Sequence, residues 1–496
     1  MSSSNFTRVP IQSPDRFFIS GEWAKPSSDA QLDIVAPATE NVYFSVAEAQ
    51  EADVNRAVAA AREAFDRGPW PRMSPRERAV YLRAIEQKLK ERVNDVAMVW
   101  PNEMGIVHSM ATAYANAIPE AYGYYAGLAE TFPWEAQHVP GGGGKLGLLV
   151  REPVGVVAAI IPWNGPILLI AHKLAPALLA GCTVVIKASP EAPGAAYIMA
   201  EIAEAVGLPK GVVNVITADR AVSELLVRHP GVDKISFTGS SAAGKRIASI
   251  CGERIARYTL ELGGKSAAVI LDDYDIDTAA DSITGAACAL SGQICSALTR
   301  VIVRRDRHDQ MVEALSARFS EVRVGDPFDP ATTMGPVALR RQRDRIEKLM
   351  SQGLREGAKL ATGGGRPKHL SRGFYIEPTV FGNVDNQSTL AREEIFGPVL
   401  SVIAADNEAH AIELANDTVY GLNNSVFTND VDRAYAAARQ LRSGMVGHNV
   451  WRTEFSIAFG GFKESGIGRE GGVEGLYPYT EAKTIILNDQ PSHIGH

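Results

Sequence analysis

The stretch Val154-Gly155-Val156-Val157-Ala158-Ala159-Ile160-Ile161-Pro162-Trp163-Asn164 decides the fold. Its first part is an unbroken apolar run with no polar alternation, which fits a strand buried on both faces. Pro162 and Asn164 stop it. An apolar helix is predicted over 167–179 and a second buried strand over Thr183–Lys187. Strand, helix and strand in this order make a βαβ unit with parallel strands.

The alternation continues outward: helix 194–206, strand 212–216, helix 221–229, strand 232–237 and helix 242–250. A second series comprises strand 267–271, helix 278–290, strand 300–304 and helix 308–319. It resumes with strand 398–403, helix 407–416, strand 423–427, helix 430–440 and strand 445–450. Two parallel-sheet α/β domains broken near 260 are therefore expected. Upstream, Val54, Ala57, Val58, Ala61 and Phe65 recur at helical spacing within 51–67, and 75–96 reads as a second helix. Thr131–Val150, with Pro140 and four consecutive glycines, suits a projecting hairpin. The tail 480–496 suits a late strand that pairs with this hairpin or with another subunit.

At 496 residues the chain exceeds what one core holds, so two or three domains are expected. A hydrophobic share of 46% and a charged share of 22% are ordinary for a soluble protein. A net charge of −7 speaks against nucleic acid as a partner. The four cysteines, Cys182, Cys251, Cys288 and Cys295, lack paired spacing, so neither a disulfide framework nor a metal site is indicated. Met1–Phe6 shows no signal peptide, and the apolar stretch 154–179 is interrupted by Pro162, Asn164, Pro166, His172 and Lys173. No membrane span and a cytoplasmic location are the expectations.

Three motifs mislead. Gly142-x-Gly144-x-x-Gly147 matches a dinucleotide fingerprint, but a strand follows it where a helix is needed. Asp273-x-Asp275-x-Asp277 imitates a calcium loop yet has Thr278 and Thr284 at the positions of the loop glycine and glutamate. Gly239-Ser240-Ser241-Ala242-Ala243-Gly244-Lys245 matches a phosphate loop up to Arg246, which replaces the hydroxyl that would hold Mg²⁺. A P-loop-like NTPase is the alternative from another class, opposed by that arginine. The helix N-terminus remains suited to a phosphate.

Cys295 lies in Gly292-Gln293-Ile294-Cys295, downstream of the acid in Glu261-Leu262-Gly263-Gly264-Lys265. Together with Pro162-Trp163-Asn164, Lys187-Ala188-Ser189-Pro190, Phe237-Thr238-Gly239-Ser240, Glu393-Glu394-Ile395-Phe396-Gly397-Pro398 and Phe459-Gly460-Gly461-Phe462-Lys463, these strings resemble the aldehyde dehydrogenase superfamily over roughly 17–487. The resemblance implies a nucleotide-binding domain (1–130 and 151–260), a catalytic domain (261–464) and oligomerisation segments (131–150 and 465–496). It implies NAD(P)-dependent oxidation of an aldehyde to its carboxylic acid by a homodimer or homotetramer.

By that resemblance Cys295 attacks the aldehyde to give a thiohemiacetal, whereas the other cysteines read as buried small hydrophobes. The Asn164 amide and the Cys295 backbone N–H hold the oxyanion; alone, Asn164 reads as a turn residue. Glu261 is the general base that hydrolyses the thioester, which opposes the CoA-acylating alternative. Lys173 and Glu470 are associated with proton movement around the base, and equally fit a structural ion pair. Cofactor contacts fall on Ile160, Pro162, Trp163, Lys187, Ser189, Glu191, Gly239, Ser240, Leu262, Glu394 and Phe396. The aldehyde tunnel falls on Tyr122, Gly165, Leu168, Leu169, His172, Ile294, Ser296, Trp451 and Phe455.

The sequence departs from the family in two places. Pro190 stands where many NAD-preferring relatives have a glutamate, with Glu191 next. NAD is the expected cofactor, with some use of NADP. Gly165 stands where relatives often carry a bulky aromatic, so a wide tunnel and a long-chain, terpenoid or aromatic aldehyde are expected. Arg452 offers a second reading, an acidic substrate tail.

Overall fold

Val156–Ile160 is a strand of an eight-stranded sheet, with every residue buried. In a computed structural model that describes residues 9–492, the order across this sheet is Gly466–Ile467, Arg257–Glu261, Lys234–Thr238, Val156–Ile160, Thr183–Ala188, Val213–Thr217, Phe17–Ile19, Glu22–Ala24. The expected readings at Met1–Phe6 and at 493–496 lie outside the described residues. The five inner strands are parallel, and the edges are closed by antiparallel partners.

The unbroken apolar run has its cause here. Val157 and Ala159 pack into one core with the helices Pro166–Ala180 and Gly194–Ala205. Val156, Ala158 and Ile160 pack into another with Glu51–Asp66 and Ser241–Arg254. Successive residues of a strand face opposite ways, so a sheet covered on both sides needs apolar residues at every position.

A seven-stranded sheet follows, ordered Lys359–Thr362, Thr379–Gly382, Val399–Ala405, Leu298–Arg304, Ser266–Ile270, Asn423–Phe427, Met445–His448. All its neighbours are parallel except the first pair. A third sheet joins the hairpin Glu135–His138 and Leu146–Pro153 to the late strand Thr480–Leu487. Two parallel-sheet α/β units with a hairpin-and-tail sheet is the architecture expected from sequence.

Several details differ. The helix expected over 75–96 ends at Glu91, and a second helix, Val93–Met104, starts beyond Arg92. The strand Gly466–Ile467, from the expected tail segment, extends the first sheet instead. The helix Arg340–Arg355 and the strands Lys359–Thr362 and Thr379–Gly382 had no counterpart in the sequence reading. The misleading phosphate-loop string does follow a strand and open a helix, and its Arg246 pairs with Glu224 on the surface. No helix among the described residues is long and apolar enough to cross a membrane.

Candidate active site

In-register pairing of Ile160 with Lys187 and Phe237, and of Thr238 with Glu261, aligns the carboxyl ends of the inner strands. The chain leaves the sheet there through Pro162–Asn164, Gly239–Ser240 and Leu262–Gly263. The carboxyl edge of a parallel sheet is where α/β folds hold ligands. These three loops line one cavity of about 390 Å³. Leu290, Ile294, Cys295, Ser296, Glu394 and Phe396 reach it from the second unit.

A left-handed turn presents Cys295. Leu290, Ser291 and Gly292 take φ of 48°, 53° and 72°. For the first two residues this conformation is costly and needs outside support. Ser291 Oγ supplies some by donating to the carbonyls of Gly335 (2.8 Å) and Pro336 (3.1 Å). Gly292 has no room for a side chain, because a Cβ would stand 2.2 Å from the Gly397 carbonyl carbon. Gln293 locks the turn, donating to Leu290 O at 3.0 Å and accepting from Ala338 N–H at 2.9 Å.

Asn164 reaches the same turn, its Nδ2 donating to Gln293 O at 3.0 Å. Cys295 is half-buried beside it and is the only one of the four cysteines that is not fully buried. Burial, then the neighbouring Glu394 and Glu261 carboxylates, push its thiol up to about 12.

Glu261 ends the edge strand of the five parallel ones, fully buried, and neither carboxylate oxygen has a hydrogen-bond partner among the described residues. Burial and then Glu470 hold its pKa well above the carboxylate range, against the opposing pull of Lys173 and Arg469. Lys173 donates to Glu470 and, at 2.8 Å, to Thr238 Oγ1. This buried pair lies near Glu261, because Thr238 pairs with Glu261 across the adjacent strands.

On the same cavity wall Glu394 accepts the Gly264 N–H at 3.1 Å, and burial raises it to about 7. Trp163 meets Phe396 edge-on at 5.4 Å. Ser240 caps the helix Ser241–Arg254 through the Ala243 N–H at 3.3 Å. Ile160, Lys187, Ser189 and Glu191 lie off the cavity wall, at and just beyond the same carboxyl edge. Lys187 is buried and its pKa falls to about 8 by desolvation. Glu191 accepts from Ser189 Oγ and from Arg341. The helix N-terminus at Ser240–Ser241 suits a phosphate and the Glu394 carboxylate suits ribose hydroxyls, chemistry that fits a dinucleotide along this cavity.

The family model described as "Aldehyde dehydrogenase family" matches residues 23–485. The chain belongs to the aldehyde dehydrogenase family. Geranial dehydrogenase of Castellaniella defragrans is 41% identical, covering 95% of this chain and 98% of its own. The crystal structure of Mycobacterium tuberculosis aldehyde dehydrogenase complexed with NAD+ superposes with a TM-score of 0.93 at 42% identity, covering 95% of this chain and 98% of that one. A mutant of aldehyde dehydrogenase C from Pseudomonas syringae, complexed with NAD+ and octanal, gives 0.93 at 39% identity, covering 97% and 99%. The protein is thus an oxidoreductase that converts aldehydes to acids.

In this aldehyde dehydrogenase the expected tunnel residues Gly165, Leu168, Leu169, Ile294, Ser296, Trp451 and Phe455 do line the cavity. Two do not. Tyr122 is wholly buried behind the wall, its hydroxyl 3.9 Å from Met199 Sδ. His172 stacks on Phe455 at 3.9 Å, one layer back from the cavity, and burial lowers its pKa to about 3. Arg452 is exposed and off the wall. Trp100, Tyr114 and Thr453, which carried no motif in the sequence, also line the wall with Thr238 and Phe459, the latter from the Phe459–Lys463 string, and Gln342 and Arg345 lie beside Glu394. Gln342 and Arg345 share one face of a helix at i, i+3 spacing, a signal available in sequence. Trp100 carried none beyond being an apolar helix residue.

Proposed function

We propose that this aldehyde dehydrogenase oxidises apolar aldehydes with NAD+ at Cys295. The observation that carries the reading is that Cys295 and Asn164 meet in a cavity whose aldehyde end is walled by Trp100, Tyr114, Leu168, Leu169, Leu290, Ile294, Trp451, Phe455 and Phe459. No charged side chain stands among them. Desolvation of an alkyl or prenyl chain against such a wall stabilises binding by about 0.8 kcal/mol per methylene.

Cys295 Sγ adds to the aldehyde carbon as the C=O π bond opens, and the thiol proton passes to solvent water as the C–S bond forms. The Asn164 amide and the Cys295 N–H stabilise the oxygen that becomes negative. NAD+ supplies the hydride acceptor. Loss of hydride from the thiohemiacetal carbon leaves a thioester on Cys295. Glu261, ionised for this step, takes a proton from the water that attacks the thioester; the C–S bond breaks and the acid leaves with Cys295 restored as a thiol. Lys173 and Glu470 hold the charge balance around that base. Glu394, with Phe396 and Trp163, would hold the nicotinamide end; Lys187, Ser189, Gly239 and Ser240 would hold the adenosine and pyrophosphate end, with Ile160, Pro162 and Leu262 beside them.

With Pro190 beside it and Arg341 neutralising it, Glu191 is a weakened guard against a 2′-phosphate, which supports preference for NAD+ with some use of NADP+. The roles proposed for the units are those the family resemblance implies: nucleotide binding by the first, catalysis by the second, and self-association into a dimer or tetramer through the three-stranded sheet. The location is cytoplasmic.

NADH absorbance across an aldehyde panel tests this. Octanal and geranial are expected to exceed acetaldehyde in kcat/KM, and Cys295→Ala to abolish turnover. A panel won by acetaldehyde refutes the substrate class; an active Cys295→Ala refutes the chemistry.

A further inference from the structure

Trp100 sits on the helix Val93–Met104, almost fully buried, its ring tilted against Tyr114 with centroids 5.9 Å apart. Two relations separate it from an ordinary core tryptophan. First, a Cβ built on Gly165 meets nothing nearer than Trp100 Cζ2, at 4.0 Å. The indole thus bounds the volume that a side chain at position 165 would enter, and the tunnel is less open there than Gly165 alone suggests. Second, Trp100 Nε1 donates to the main-chain carbonyl of Asn164 at 3.1 Å. The Asn164 side chain is tied to the nucleophile turn through Gln293 O. One residue is therefore held from both sides: its main chain by the cavity wall, its amide by the loop that carries Cys295.

We propose that Trp100 is both a positioning and a specificity-determining residue: its N–H fixes the Asn164 loop, and its ring, paired with Gly165, sets the bore of the aldehyde end. The proposal rests on the reading of Asn164 as oxyanion donor. A buried indole N–H needs a partner, and here the partner belongs to the group whose placement matters most. A phenylalanine keeps most of the wall but leaves the Asn164 carbonyl without that donor, freeing the loop to shift. Small displacements of an oxyanion donor slow chemistry without weakening substrate binding in proportion.

The test uses the full-length enzyme with NAD+, propanal and octanal, in single-turnover and steady-state modes. Alkylation of Cys295 by iodoacetamide reports whether the site is intact. Trp100→Phe is expected to slow single-turnover NADH formation roughly tenfold on both aldehydes. Its half-saturating concentrations should stay within about twofold and its alkylation rate should match wild type, since the wall and the cysteine turn are kept. Gly165→Leu drives a side chain toward the indole and is expected to raise the half-saturating octanal concentration roughly tenfold. Adding Trp100→Ala to Gly165→Leu reopens the space and returns that concentration to near wild type, although the reaction stays slow because the N–H is gone.

A Trp100→Phe enzyme with an unchanged single-turnover rate overturns the positioning role, as does one whose alkylation rate collapses, because the ring is then merely structural. A double variant no better than Gly165→Leu for octanal overturns the pairing. Absence of Cys295-dependent NADH formation in the wild type is a separate failure: it removes the reading of the site on which the proposal stands.

Discussion

Neither Glu261 oxygen has a hydrogen-bond donor among the described residues, and that bears on when it could act as the base. Burial and Glu470 both favour its neutral form, so at acid pH it carries a proton and cannot accept one from water. As pH rises through its elevated pKa the carboxylate forms and thioester hydrolysis begins. The acid limb of kcat is thus expected above the ordinary carboxylate range, read from a pH–rate profile. Glu261→Gln should remove that limb and leave a burst of NADH followed by a stalled thioester. A burst-free profile identical to wild type counts against the role. Asn164→Ala is expected to lower kcat roughly a hundred- to a thousandfold, as loss of an oxyanion donor does elsewhere. Lys173→Met should cost about 3–5 kcal/mol in denaturant unfolding, because it strands the Glu470 carboxylate in the interior. Unchanged unfolding would mean the pair is not held together in solution.

The turn 290–295 shows how an element shapes a site. Leu290 and Ser291 are held in left-handed conformation by contacts from distant parts of the chain, and Gly292 is pressed against Gly397. Gly292→Ala should destabilise by about 3 kcal/mol, from the added backbone strain and the collision, and should also reduce Cys295 alkylation. A melting temperature equal to wild type would show that the turn has slack. The string Gly292–Cys295 pointed to the nucleophile, but nothing local in Ala-Leu-Ser-Gly announces consecutive left-handed residues, since Gly335, Pro336, Ala338 and Gly397 enforce them. Tyr122 failed for a related reason. On the helix Pro119–Thr131 the side it turns toward the first core is set by packing against Met199 and not by its own spacing.

For the whole molecule, the late strand Thr480–Leu487 covers Leu146–Pro153 along its full length. Deleting 480–496 uncovers a strand edge that seeks another partner. Light scattering after size exclusion is expected to show a change of oligomeric state or aggregation; an unaltered profile would separate this sheet from self-association. The alternation of strands and helices was legible because burial on both faces forces apolar runs of strand length, and crossover helices must separate parallel strands. The motifs were legible because Cys295, Glu261, Asn164 and Glu394 sit at strand ends and turns, where local composition is distinctive. By itself the sequence determined the parallel-sheet α/β architecture and the family with its chemistry, and it singled out the residues proposed to react. Only the tertiary structure decided which side chains wall the cavity, that Trp100 lies beside Gly165, and that Glu191 is bound by Arg341. Those are encounters between segments far apart in the chain, and spacing along one element carries no information about what packs against it.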